Sequence, residues 1–72
     1  MVNINKLKGK IVERGMNVGS VAKAIGINHA TLYRKLNADG ENISIKEACL
    51  IGKTLKLSVT EMNEIFFAQF VA

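Results

Sequence analysis

No proline interrupts these 72 residues, and the chain holds one cysteine, Cys49, and one histidine, His29. With 49% hydrophobic residues, the lack of proline excludes the composition of a disordered segment and permits a compact fold. A single cysteine cannot close an intrachain disulfide, which fits a reducing cytoplasm. One histidine supplies neither a catalytic triad nor a metal site, and no Asp/Glu pair lies at helical spacing beside His29 or Cys49. No glycine cluster resembles a phosphate-binding loop. The expectation is a protein without catalytic activity, cofactor or metal. No apolar run approaches the roughly 20 residues of a membrane span, and the opening MVNINKLKGK has lysines but no apolar signal region behind them. The closing IFFAQFVA lacks the Lys and Arg of a membrane-surface helix. A cytoplasmic protein with no membrane partner is expected.

What the chain does have is charge, unevenly placed. Residues 1–37 carry seven of the ten basic residues and one of the six acids, for a net +6, while residues 38–72 carry three bases and five acids, for −2. A positive field over the first half would concentrate the chain around a polyanion. At this length one domain over residues 1–72 is expected, near the lower limit for a self-sufficient core.

Helical periodicity and cap residues predict five helices and no strand. The first covers residues 4–14, capped by Asn3, with Ile4, Leu7 and Ile11 inward and Gly15 closing it. The second follows Asn17, with Met16 stapling onto Val21, and the third follows Asn28, where Ile27 and Leu32 repeat the staple. Residues 37–42 form a polar loop. Ser44 and Glu47 form a capping box that opens helix four, with Ile45, Ala48, Ile51, Gly52 and Leu55 inward and Cys49 beside them as a buried thiol. Ser58 and Glu61 form another for helix five, whose inward stripe is Met62, Ile65 and Phe66.

The most informative stretch is NVGSVAKAIGINHATLYRKLN, residues 17–37: two short helices hinged at Gly26, in the left-handed conformation that ends a helix cheaply. With Leu32 and Leu36 inward, Arg34 lies opposite the core, Ala30, Thr31 and Asn37 beside it, and Tyr33 and Lys35 on the flanks. That face carries donors, acceptors and a small residue but no acid. Arg34 suits guanine O6 and N7, Ala30 suits a thymine methyl or close approach, and Thr31, Tyr33 and Asn37 suit phosphate or bases. His29 reads equally as a cap or surface residue and as a base contact, and Tyr33 also reads as leaning over the core edge. The N-termini opened by Asn17 and Asn28 can bind phosphate through their free N–H groups, with Lys10 and Lys23 as further phosphate contacts.

These residues resemble the phage repressor and Cro-type helix-turn-helix family, over residues 4–66. The likeness is carried by Met16-Asn17, Val21-Ala22, Ile25-Gly26-Ile27-Asn28, Leu32 and Asn37, and by the closing SIKEACLIGKTLKLSVTEMNEIFF. Val18 stands where the family commonly has Gln, Gly19 follows it, and Gly40 comes three residues after Asn37 rather than directly. The first of those departures moves expected recognition towards Ala30, Tyr33 and Arg34. The resemblance implies an all-α, lambda-repressor-like five-helix bundle whose third helix enters the major groove of a double-stranded operator. It also implies a transcriptional regulator, a homodimer on two half-sites, in a bacterial or phage-infected cell. Asn63, Phe67, Phe70 and Val71, in and around the segment 66–72, are the candidate dimer surface, Phe67 and Phe70 reading alternatively as core closure. The rival is a protein-binding module on the same scaffold, an antirepressor that pairs with a partner repressor.

Overall fold

The computed structural model describes residues 2–67. They form α1 (Ile4–Glu13), α2 (Val18–Ile25), α3 (His29–Asn37), α4 (Ile45–Leu55) and α5 (Val59–Met62), the last running on as a π-helical turn, Asn63–Phe67. No strand occurs among the described residues. The expected all-α five-helix bundle is therefore observed. Its fifth member is shorter as an α-helix than its periodicity suggests, because the hydrogen-bonding register widens after Met62.

Every helix starts in the same way. Asn3, Asn17, Asn28, Ser44 and Ser58 each turn a side-chain oxygen onto a backbone N–H of the first turn. Each cap is preceded by an apolar residue, Val2, Met16, Ile27, Ile43 and Leu57, that is partly buried against the core. This corrects one sequence expectation. The inward apolar residue at the start of α4 is Ile43, before the cap, whereas Ile45, after it, is 72% exposed. Val59, the equivalent position of α5, is likewise exposed. Only the cap residue separates the staple from the first helical residue, and the turn at the cap sends their side chains opposite ways.

Three of the four connections share one form. Gly15, Gly26 and Lys56 have positive φ (70°, 80° and 54°), followed directly by the apolar residue and the next cap. At the α2–α3 corner the Gly26 N–H donates to Lys23 O at 3.3 Å and the Ile27 N–H to Ala22 O at 3.0 Å, the paired bonds of a Schellman ending. The Lys56 and Leu57 N–H groups repeat this onto Lys53 O and Gly52 O. The α3–α4 loop is longer, with Asp39 and Gly40 both at positive φ.

Leu7 and Ile11 of α1, Val21, Ala22 and Ile25 of α2, Leu32 and Leu36 of α3, Ala48, Ile51 and Leu55 of α4, and Ile65 and Phe66 of the π turn make one core. No polar side chain is buried among the described residues. Cys49 is exposed, against the expectation of a buried thiol. It shares the outward i, i+4, i+8 row of Ile45 and Lys53, one helical step from the inward row of Ala48 and Gly52. The cap of α1 meets the π-helical turn where the Asn3 N–H donates to Ile65 O at 2.7 Å.

The left-handed corners make opposite predictions. Lys56→Gly should stabilise the protein by about 0.5–1 kcal/mol, because an L side chain there opposes the backbone. Gly40→Ala should destabilise it by about 2 kcal/mol or more: its φ is +73°, and a Cβ would sit 2.7 Å from Val2 Cβ. Urea melts of both variants decide. Equal midpoints for Lys56→Gly and wild type would contradict the first, and an unshifted Gly40→Ala the second. Exposure of Cys49 also predicts that the native protein reacts with a thiol reagent about as fast as the urea-unfolded chain.

Candidate nucleic-acid interface

α2 packs on both α3 and α4. The small Ala22, 1% exposed, lies on the buried side of α2 with Val21 and Ile25. This fixes α3 by its Leu32–Leu36 stripe and leaves the rest of its circumference outward. The N-termini of the two helices are held by their asparagines: Asn17 Oδ1 accepts from the Ser20 N–H at 2.9 Å, and Asn28 Oδ1 from the Ala30 N–H at 2.8 Å. Ser20 Oγ returns a bond from the Asn17 N–H, completing a capping box. With their side-chain oxygens engaged as caps, Asn17 and Asn28 keep their amide N–H groups to offer a ligand. The first-turn N–H groups of Val18 and Gly19 have no carbonyl within the helix to meet.

His29, Ala30, Tyr33, Arg34 and Asn37 are all exposed, and Thr31 and Lys35 are half-buried at the margins. Tyr33 stands 53% exposed rather than over the core edge. Its ring meets that of His29 edge to face, centroids 6.1 Å apart with the planes at 85°. His29 also reaches back towards α2: a Cβ on Gly19 would lie 3.8 Å from His29 Nδ1 and 3.2 Å from Asn17 Oδ1. Gly19, which the sequence offers only as a weak helix residue, thus leaves room for the His29 ring at the opening of α2. Asn42 is a residue that sequence reasoning missed. The α3–α4 loop brings it beside Thr31, Arg34 and Lys35, where they line a shallow groove. Nothing local marks it, since its place depends on how far the loop returns along α3.

The charge asymmetry along the chain has a different outcome from the one its sequence suggests. Lys6 pairs with Glu64, Lys10 with Glu61 and Glu13, and Lys35 with both oxygens of Glu47 at 2.8 Å. Arg14 donates through Nε to Leu55 O at 2.7 Å. Much of the positive first half is therefore matched by the negative second half within the molecule. Lys10, a candidate phosphate contact, ties α1 to α5, and Lys35, on the flank of the α3 face, ties α3 to α4, because each lies opposite a capping-box glutamate. Lys8, Lys23, Arg34, Lys46, Lys53 and Lys56 pair with no acid among the described residues. Of these, Lys23 and Arg34 belong to the helix pair.

Asn63 and Phe67, expected at a dimer surface, are half-buried, and Phe67 packs against the core with its ring 6.2 Å from that of Phe66. Phe70 and Val71 lie outside the described residues. No group of His, Cys, Asp and Glu that could hold a metal occurs among the described residues, and no described helix is long and apolar enough to cross a membrane. No family model, curated protein or solved structure matches the chain.

The ion pairs make stability depend on acid. Lys10, and then the Ser58 N–H, hold the Glu61 carboxyl down from 4.5 to about 2. Lys35, and then the Ser44 N–H, lower that of Glu47. A carboxyl depressed on folding stabilises the native state above its unfolded value and loses that contribution as pH falls towards the folded one. Stability should therefore drop as pH falls from about 4.5 to about 2, and Glu61→Gln should flatten that drop while lowering stability at neutral pH. A Glu61→Gln protein with the wild-type pH profile would show that this carboxylate is not held as described.

Proposed function

We propose that this protein is a sequence-specific double-stranded DNA-binding regulator that reads the major groove with α3. One observation carries the reading. The outward face of α3 presents His29, Ala30, Tyr33, Arg34 and Asn37 together, and residues 17–37 contain no acid that would repel phosphate. An α-helix fits the major groove, where base edges are distinguishable, and arginine is the natural bidentate partner of guanine. The α2 N-terminus beside that face offers backbone N–H groups at the positive end of a helix dipole, the usual means of setting register on phosphates. Lys23 and the amides of Asn17 and Asn28 add to this positioning. The resemblance of residues 4–66 to the phage repressor and Cro-type family supports the same reading.

Regulation then follows from occupancy: a protein seated on its operator excludes RNA polymerase or a competing regulator from the same DNA. The resemblance carries with it two half-sites about one DNA turn, roughly 34 Å, apart. A homodimer on two half-sites is accordingly part of the proposal. The rival is a module that pairs with a partner repressor, for which an apolar Val18 and a Gly19 at the opening of α2, in place of polar contacts, would speak. Val18 is partly buried against the core, and Gly19 lies beside His29, so neither requires a protein partner to account for it.

Selection of genomic fragments at two salt concentrations should retain a short site in preference to bulk DNA, and salt-sensitive retention of every fragment alike would overturn the assignment. At the selected site Arg34→Ala should cost about 1–3 kcal/mol and relax the preference at one base position. Lys23→Ala should weaken binding evenly across sequences. An Arg34→Ala protein that folds normally and binds unchanged would remove α3 from the reading role.

A further inference from the structure

The four residues at the start of the α3 face form two i, i+4 pairs side by side, His29 with Tyr33 and Ala30 with Arg34. Between them lies a shallow depression lined almost wholly by carbon. The edge-to-face imidazole and phenol rings line it together with Ala30 and Arg34. Arg34 pairs with no carboxylate among the described residues.

A carbon-lined notch on a base-reading face has few complements in a major groove. The C5-methyl of thymine is the one apolar group that an unmodified base pair presents there, and 5-methylcytosine presents a methyl at the same position. Unmodified cytosine offers N4–H instead, whose usual partner is a carboxylate, and α3 has none. Ala30 and Arg34 are four residues apart, about 6 Å along the axis, against about 3.4 Å between successive bases of a strand. The reach of the long arginine side chain covers the difference, so the two can contact neighbouring bases. Resting on the DNA-reading assignment above, we propose that the His29–Ala30–Tyr33–Arg34 patch selects a C5-methylated pyrimidine next to a guanine. The methyl enters the notch, and the guanidinium donates to O6 and N7 of the guanine.

The experiment is selection from a randomised duplex pool, followed by base replacement in the winning duplex. A pyrimidine next to a guanine should be enriched, with thymine as the pyrimidine. Replacing that thymine by deoxyuridine, which removes only the methyl, should weaken binding about four-fold, the equivalent of ~0.8 kcal/mol for one buried carbon. A 5-methylcytosine in its place should bind more tightly than unmethylated cytosine by a similar factor. Tyr33→Ala, at an exposed position and checked for folding by circular dichroism, should lose both discriminations. If a site is selected but is indifferent to deoxyuridine, or if Tyr33→Ala discriminates as wild type does, the methyl-reading notch is wrong and the DNA-binding assignment survives. If no duplex is selected over the pool, the DNA-reading assignment fails, and the notch falls with it.

Discussion

The structure depends on one backbone device, the reversal of chain direction at each helix end within a few residues. Helices of 8 to 11 residues cannot bury much apolar surface individually, so they are stable only where the next helix returns promptly against them. The α1–α2, α2–α3 and α4–α5 corners achieve this with the same three residues in order: one in the left-handed region, one apolar, one cap. The first stops the helix, and the last starts the next. The apolar residue between them packs against the core, which sets the angle at which the chain leaves. Gly15-Met16-Asn17, Gly26-Ile27-Asn28 and Lys56-Leu57-Ser58 are three instances of one solution.

That device also creates the candidate interface. Because Ile27 is drawn inward and Asn28 is used as the cap, His29 begins α3 on the outside, and the Leu32–Leu36 stripe keeps the helix from rolling. The candidate recognition residues are thus presented by an element whose rotation is fixed by packing. Precise placement of Arg34 and Tyr33 would not survive on a loop. The ion pairs serve the same end from the other side. Lys35 to Glu47 links α3 to the start of α4, and Lys10 to Glu61 links α1 to the start of α5. Both glutamates are at once capping-box residues and ion-pair partners, so each helix start is fastened to a neighbouring helix.

Helix number, the caps, the corners and the exposed α3 face were legible in the sequence because each rests on residues at most four apart. Asn17, Gly26, Asn28, Ser44 and Ser58 act on backbone groups of their own turn. The errors share an origin. Ile45 and Cys49 were placed inward by extending one periodicity to the first turn of α4 and to its flank, but the bundle covers only a narrow strip of that helix. Ile43, outside the helix, fills the place assigned to Ile45.

By itself, then, the sequence determined an all-helical chain, where its helices begin and turn, and which residues of α3 face away from the core, since all of these follow from local backbone chemistry and the 3.6-residue period. Only the tertiary structure decided which charges remain for a partner. Lys6 and Glu64 are 58 positions apart, Lys10 and Glu61 are 51, and no pattern along the chain announces pairs at such separations. The return of Asn42 to the Arg34 groove and the meeting of Asn3 with Ile65 have the same character. Coulombic attraction and loop return depend on distance in space, and the packing of the helices sets that distance.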